Sequence, residues 1–417
     1  MKRNYFIVAL IFLVFFAISF LTNILGSINP NVSDSYQLSG AMTGLLPFSF
    51  FIAYAIMSIP SGMIVQCYRE KMSMISAWGT ATLGALLFAL FPTFPVFLAS
   101  LFMIGVGMAM LQVAINPLLR VSGGEKHFAF LSVMAQLVFG GASYLSPMVY
   151  SYLVTHLKAG TNPSGIFLGT LSKLTPDKLP WVSLYWLFAA VSLLMVIILL
   201  VSRFPRVELK EDEKVGAWDI HKKLFRNKTV ILFFLGIFAY VGTEQGIANW
   251  ISEFLRTYHG LAPEIEGAAT VGWFWGMLTI GCLLGLVLLK LMDSKLVLRI
   301  FSIGALGVLI VTLFGNAQTA LIGFPALGFC LSVMWSIIFS LALNSLDKFH
   351  GTFSGILCTG IAGGAIVPLI IGQLKDMIGL RLGMFVLLIT LGYIFSISIW
   401  ANPLVKNETI KMKKANA

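Results

Sequence analysis

Glu244 is the single charged residue in Ile231–Trp250 (ILFFLGIFAYVGTEQGIANW). An ionised carboxylate at membrane depth costs a few kcal/mol unless it faces a partner or a water-filled space, so such groups mark ion and substrate pathways. A carboxylate there can take up a proton or help to hold a cation. The other sixteen of the seventeen acidic residues fall in loops, tails or the ends of apolar runs. Gln245 and Asn249 follow in the same stretch, and Asn23, Gln112, Asn116 and Gln136 lie in other apolar runs. Each amide offers two donors and an acceptor. Trp275 and Trp335 add flat apolar faces. Competing readings are structural: Asn23 and Asn116 bonding across helices, and Glu244 as a protonated carboxyl bonded to a backbone carbonyl.

Little else in the chain suggests chemistry. The five histidines (His127, His156, His221, His259 and His350) are scattered, and none stands in a recognisable motif with an aspartate. Cys67, Cys282, Cys330 and Cys358 have neither metal-ligand spacing nor the placement of a disulfide framework. No enzyme, metal or cofactor is therefore expected.

The elements that position these residues are membrane helices. Of 417 residues, 58% are hydrophobic and 11% charged, and the mean hydropathy is +0.91. A soluble domain carries about a quarter charged residues. Twelve apolar runs are each long enough to cross a bilayer as a helix. They cover roughly 5–28, 39–66, 73–92, 95–120, 128–157, 181–203, 228–256, 264–290, 296–315, 318–346, 352–375 and 382–401. The first is too long for a signal-peptide core, and no cleavage site follows it.

The net charge of +11 is a topology signal rather than a nucleic-acid footprint. With the N-terminus inside, 22 of the 28 lysines and arginines fall on the inner face and 6 on the outer. That asymmetry predicts a multi-pass membrane protein with both termini cytoplasmic.

The longest polar inner segment, Arg203–Arg226, splits the chain into two groups of six. It predicts an N-terminal bundle over 1–203, a linker over 204–227, a C-terminal bundle over 228–401 and a tail over 402–417. A short amphipathic helix over Ala217–Leu224 fits within the linker. The halves repeat at an offset of 223 residues. That shift takes Gly140-Gly141-Ala142 to Gly363-Gly364-Ala365, Gly62 to Gly285 and Gln112 to Trp335. Parallel six-helix halves of this kind predict the major facilitator fold, with substrate held between the halves near the midplane.

Several stretches resemble the fucose permease group of the major facilitator superfamily, the fucose–galactose–glucose symporters. They are Leu45–Gly62, Leu111–Leu118 (LQVAINPL), Phe238–Leu255 (FAYVGTEQGIANWISEFL), Phe274–Gly285 and Gly363–Pro368. The superfamily loop after span 2 is also partly present: Gly62 and the basic residues after it are kept, but Gln66 replaces the usual aspartate. The group's helix 1 and helix 4 patterns carry acids where this chain has Asn23 and Gln112. Glu244 is then the candidate for ion coupling. Gly242 and Gly246, on either side of it, have two readings: a break in helix 7 that frees backbone groups, or close helix packing through small residues.

The resemblance implies a monosaccharide as substrate, a proton or sodium ion as driving ion, the lipid bilayer as surroundings and no nucleic acid. A monomer is expected. Sugars need forked donors and acceptors plus an aromatic face. The substrate-binding candidates are therefore Asn23, Gln112, Asn116, Gln136, Gln245, Asn249, Trp275 and Trp335. Alternatives are a facilitative sugar uniporter, a drug or amphiphile exporter of the same fold, and a membrane-embedded transferase. The amide-rich positions weigh against the exporter, and the missing acid–base constellation weighs against the transferase.

Overall fold

In the computed structural model, the described residues are 5–123, 128–157, 165–204, 218–346 and 348–404. Most of the linker (205–217) and of the tail (405–417) lies outside them. Twelve helices are long and apolar enough to span a membrane. Spans 1 to 6 are Tyr5–Tyr36, Gly40–Val65, Cys67–Leu90, Phe94–Ile115, Leu131–His156 and Pro180–Val201. Spans 7 to 12 are Lys228–Ala248, Pro263–Leu291, Ser294–Phe314, Ala317–Leu343, Thr352–Ile378 and Leu380–Trp400. A short helix, Trp218–Phe225, occupies the place read as amphipathic in the linker.

One apolar cluster is built mainly from spans 1 to 6, from Ile7 to Leu199, and takes in Ala268 and Ala365 of the second half. A second runs from Leu224 to Ala401. Large apolar side chains also cover the outside: Leu83, Leu194 and Val201 in one half, Val287, Ile303 and Ile389 in the other. A surface of this kind suits hydrocarbon, which asks only that backbone groups be satisfied within the helices.

Span 1 differs from the expected run. It continues past Ile28 to Tyr36, in two segments, Tyr5–Thr22 and Leu25–Tyr36, separated at Asn23-Ile24. The sequence Gly26–Tyr36 is rich in Ser and Asn, which compete with helix by bonding the backbone locally. Here some of those side chains also find partners on other spans. Asn31 Nδ2 donates to Tyr150 Oη at 2.8 Å, and Trp181 Nε1 donates to Ser35 Oγ at 3.0 Å.

The repeat is visible in three dimensions. Gly105 of span 4 lies so close to span 2 that a Cβ would sit 2.3 Å from the Phe50 carbonyl oxygen. Its counterpart 223 residues on, Gly328 of span 10, meets the Phe274 carbonyl of span 8 at 2.2 Å. Lysines in the matching loops are placed alike. Lys71 Nζ donates to the Leu200 and Ser202 carbonyls at 2.9 and 2.7 Å, at the end of span 6. Lys295 Nζ donates to those of Ile399 and Ala401 at 3.2 and 2.6 Å, at the end of span 12. A cation at a helix C-terminus satisfies orphan carbonyls and complements the helix dipole. We call the side of the bundle that carries these loops the basic end, and the opposite side the far end.

The halves meet through glycines toward the far end. A Cβ on Gly26 would fall 1.9 Å from the Ala248 carbonyl oxygen, on Gly40 2.5 Å from that of Gly372, and on Gly44 2.8 Å from Leu369 Cα. Polar ties accompany these contacts. Asn29 Nδ2 donates to the Asn249 carbonyl at 3.0 Å. The Asp376 carboxylate accepts from the Gly40 and Ala41 amides at 2.6 and 2.8 Å, capping the start of span 2 from the other half. Arg256 pairs with Asp34. Gly26→Val is expected to force the far ends apart, because no rotamer moves a Cβ away from a backbone oxygen. Spin labels at the exposed positions Thr93 and Gln318 would then show the short-distance population lost. If that population persists in a folded Gly26→Val protein, this crossing does not close the far end.

Candidate functional site

The site is built on span 7. Asn227 caps its start, its Oδ1 accepting the Thr229 amide at 2.9 Å. The helix then runs unbroken to Ala248, through Gly242 and Gly246. The break that is one reading of those glycines is absent. A Cβ on Gly242 would lie 2.4 Å from Val367 Cγ2, and one on Gly246 2.8 Å from Leu387 Cδ2. Both glycines therefore seat spans 11 and 12 against span 7. The chain breaks one turn later, at Asn249-Trp250, and resumes as Ile251–His259.

Glu244 is partly buried and doubly bonded. Tyr240 Oη donates to its Oε2 at 2.6 Å, and Gln245 Nε2 donates to its Oε1 at 3.1 Å. Tyr240 precedes it by four residues, which puts both on one helix face. The Trp335 ring of span 10 lies 5.9 Å from that of Tyr240 and stacks on Phe339. The cluster thus joins a carboxylate, a phenol, an amide and a half-exposed indole face. It can exchange hydrogen bonds with hydroxyl groups while an aromatic wall receives C–H bonds.

Gln245 and Asn249 are buried beyond it. Asn249 Nδ2 donates to Gln245 Oε1 at 3.1 Å and to the Gln245 carbonyl at 2.9 Å. Trp275 of span 8 is buried edge-on to Phe274, and its indole N–H has no acceptor among the described residues. A buried donor without a partner is uncommon enough to ask what it meets.

The other candidates are not gathered here by any described contact. Asn23, at the break in span 1, donates from Nδ2 to Ser143 Oγ at 2.8 Å. Ser143 in turn bonds Ser19 at 2.6 Å, so this amide joins spans 1 and 5. Gln112 is partly buried on span 4, and Gln136 is exposed on span 5. The side chain of Asn116 lies outside the described ones. Two site residues escaped the sequence reading. Tyr240 was detectable from its spacing of four before Glu244. Asn29 was not, because the apolar run ends at Ile28.

Twelve spans in two related halves, with a carboxylate cluster on a span whose end abuts the seam, define a membrane transporter. Residues 11–368 match the Major Facilitator Superfamily. A glucose/galactose transporter of Brucella abortus is 30% identical over 399 residues, covering 94% of this chain and 93% of that protein. The L-fucose–proton symporter of Escherichia coli is 24% identical, covering 91% and 89%. Among solved structures, the transporter FucP in its outward conformation gives a TM-score of 0.68 at 22% identity, over 95% of this chain and 98% of that one. An inward-facing bacterial homologue of the human lysosomal transporter Spinster gives 0.71 at 16% identity, over the same shares. The chain belongs to the Major Facilitator Superfamily and, within it, to the fucose permease group.

Tyr240→Phe keeps the ring against Trp335 and removes the donor to Glu244. Hydrogen bonds to charged groups contribute about 1.5–3 kcal/mol. Transport is expected to fall roughly ten- to a hundredfold, with the melting temperature nearly unchanged. Wild-type uptake by Tyr240→Phe would take the phenol out of the site.

Proposed function

We propose that the protein imports a monosaccharide of the fucose, galactose or glucose class by alternating access, driven by a proton or sodium gradient. The observation that carries this reading is Glu244, held between Tyr240 and Gln245 beside the Trp335 face. Relatives named as glucose/galactose transporters, and aligned over nearly their full length, support the sugar class.

In this reading Glu244 is the coupling group. Gln112, Asn116, Gln136, Gln245, Asn249, Trp275 and Trp335 complete the sugar site as the halves move. Asn23 contributes from the break in span 1. The basic end is cytoplasmic, with both termini there, in the inner membrane of a bacterium. The far end is then periplasmic, and its ties hold the carrier closed to the outside. Residues 1–203 and 228–401 rock as two units about the seam, joined by the 204–227 linker, in a monomer.

The test is uptake of labelled hexoses and deoxyhexoses into proteoliposomes, with and without imposed proton and sodium gradients. The wild type is expected to concentrate at least one sugar under one gradient. Glu244→Gln should abolish accumulation yet retain downhill exchange, since Gln keeps the shape and part of the hydrogen bonding. Accumulation by Glu244→Gln would show that coupling lies elsewhere. A wild type that never concentrates sugar is a uniporter, and one that responds only to hydrophobic cations is an exporter.

Gln112→Ala tests the first half's share. A buried polar partner left unpaired costs about 1–3 kcal/mol, or roughly ten- to a hundredfold in affinity. Tryptophan quenching titrations should show that loss in a protein of normal thermal stability. Unchanged affinity would place Gln112 in packing alone.

A further inference from the structure

The carboxylate and the seam are linked by a continuous line of hydrogen bonds. Asn29 of the first half donates to the Asn249 carbonyl, Asn249 donates to Gln245, and Gln245 donates to Glu244. Every donor points toward the carboxylate. The line crosses from one half to the other at its first step, where Gly26 lies against Ala248 and Asn249.

Each step has a local cause. Span 7 ends at Ala248, and the last carbonyls of a helix have no partner within it. Asn29 takes up the one on Asn249. It does so from a segment of span 1 that is helical well past its apolar run. Asn29 and Asn249 are 1% and 2% exposed, so water does not compete for these bonds in the closed seam. Asn29 Oδ1 is buried and has no partner among the described residues. The amide is thus only half satisfied, and opening the seam would hydrate it.

We infer that Asn29 is a positioning residue for the outer closure, and that it is sensitive, through Asn249 and Gln245, to what the Glu244 carboxylate holds. When another group claims Glu244 Oε1, Gln245 Nε2 loses its acceptor and the Gln245 side chain turns. Asn249 then loses an acceptor for its amide, and its carbonyl, at a free helix end, shifts under Asn29. Ligand or ion at Glu244 is thereby converted into a change at the seam. The inference rests on the reading of Glu244 as the coupling group, but its test needs no sugar.

The experiment is a double-mutant cycle on the full chain in lipid nanodiscs, without sugar. Spin labels at Thr93 and Gln318 report the ratio of far-end-closed to far-end-open molecules. Asn29→Ala removes the donor. Glu244→Gln replaces one carboxylate oxygen by an NH2 donor and removes the charge, which weakens the bonds accepted from Tyr240 and Gln245. Each variant is expected to lower the ratio roughly three- to tenfold, the scale of one net hydrogen bond. The double variant should fall no further than the lower single one, because both cut the same line. Asn29→Leu, similar in volume and without a donor, gives the same reading if the alanine variant fails to fold. Effects that multiply in the double variant, or a ratio untouched by Glu244→Gln, overturn the inference. Failure of sugar uptake under every gradient would instead overturn the transport reading and leave the cycle's result standing.

Discussion

A carboxylate placed at membrane depth must be supplied with hydrogen bonds by the protein, since lipid offers none. Glu244 meets that requirement within its own helix, from Tyr240 one turn earlier and from Gln245 beside it. Much of the second half's arrangement follows. Span 10 brings Trp335 against Tyr240, and Gly242 and Gly246 leave room for spans 11 and 12 on the opposite flank. A larger residue at either glycine would push these spans away and loosen the shell around the acid.

The seam between the halves depends on a different balance. Asp34 is 62% exposed on its side chain, so its pair with Arg256 contributes on the order of 0–1 kcal/mol. Glu253, at 6% side-chain exposure, is a stronger anchor, but it binds Arg256 and Lys375 within its own half. Its bonds need not break when the far end opens. What closes the seam is backbone against backbone at Gly26, Gly40 and Gly44, with Asp376 capping span 2 across the gap. Close approach through small residues is the usual basis of helix association in membranes, where apolar burial offers no net drive.

The architecture was legible because its signals are strong. Runs of apolar residues locate the spans, and the 223-residue offset that relates Gly140 to Gly363 also relates Gly105 to Gly328, each against a neighbouring backbone. The site was legible in part. Glu244 stood out through its chemistry, and Gln245 and Asn249 through their position on the same helix. Hydropathy could not reach Asn29, because a polar helix held by tertiary partners looks like a loop. The glycines of span 7 left two readings open, because a small residue in a membrane helix serves close packing as readily as unwinding, and packing is the one they serve. The helix ends instead at Asn249, where no glycine marks it. Asn23 has an evident partner in Ser143, which no sequence spacing announces.

The lysine clasps of the basic end have a mechanical consequence. Lys71 and Lys295 each join a loop to a helix end of the same half. They stiffen each half and carry no load when one half tilts against the other. Rearrangement on cycling then falls on the contacts between the halves, among them the far-end seam, whose polar groups trade protein partners for water at small net free energy. The clasped helix ends of each half then move with their loops as one piece.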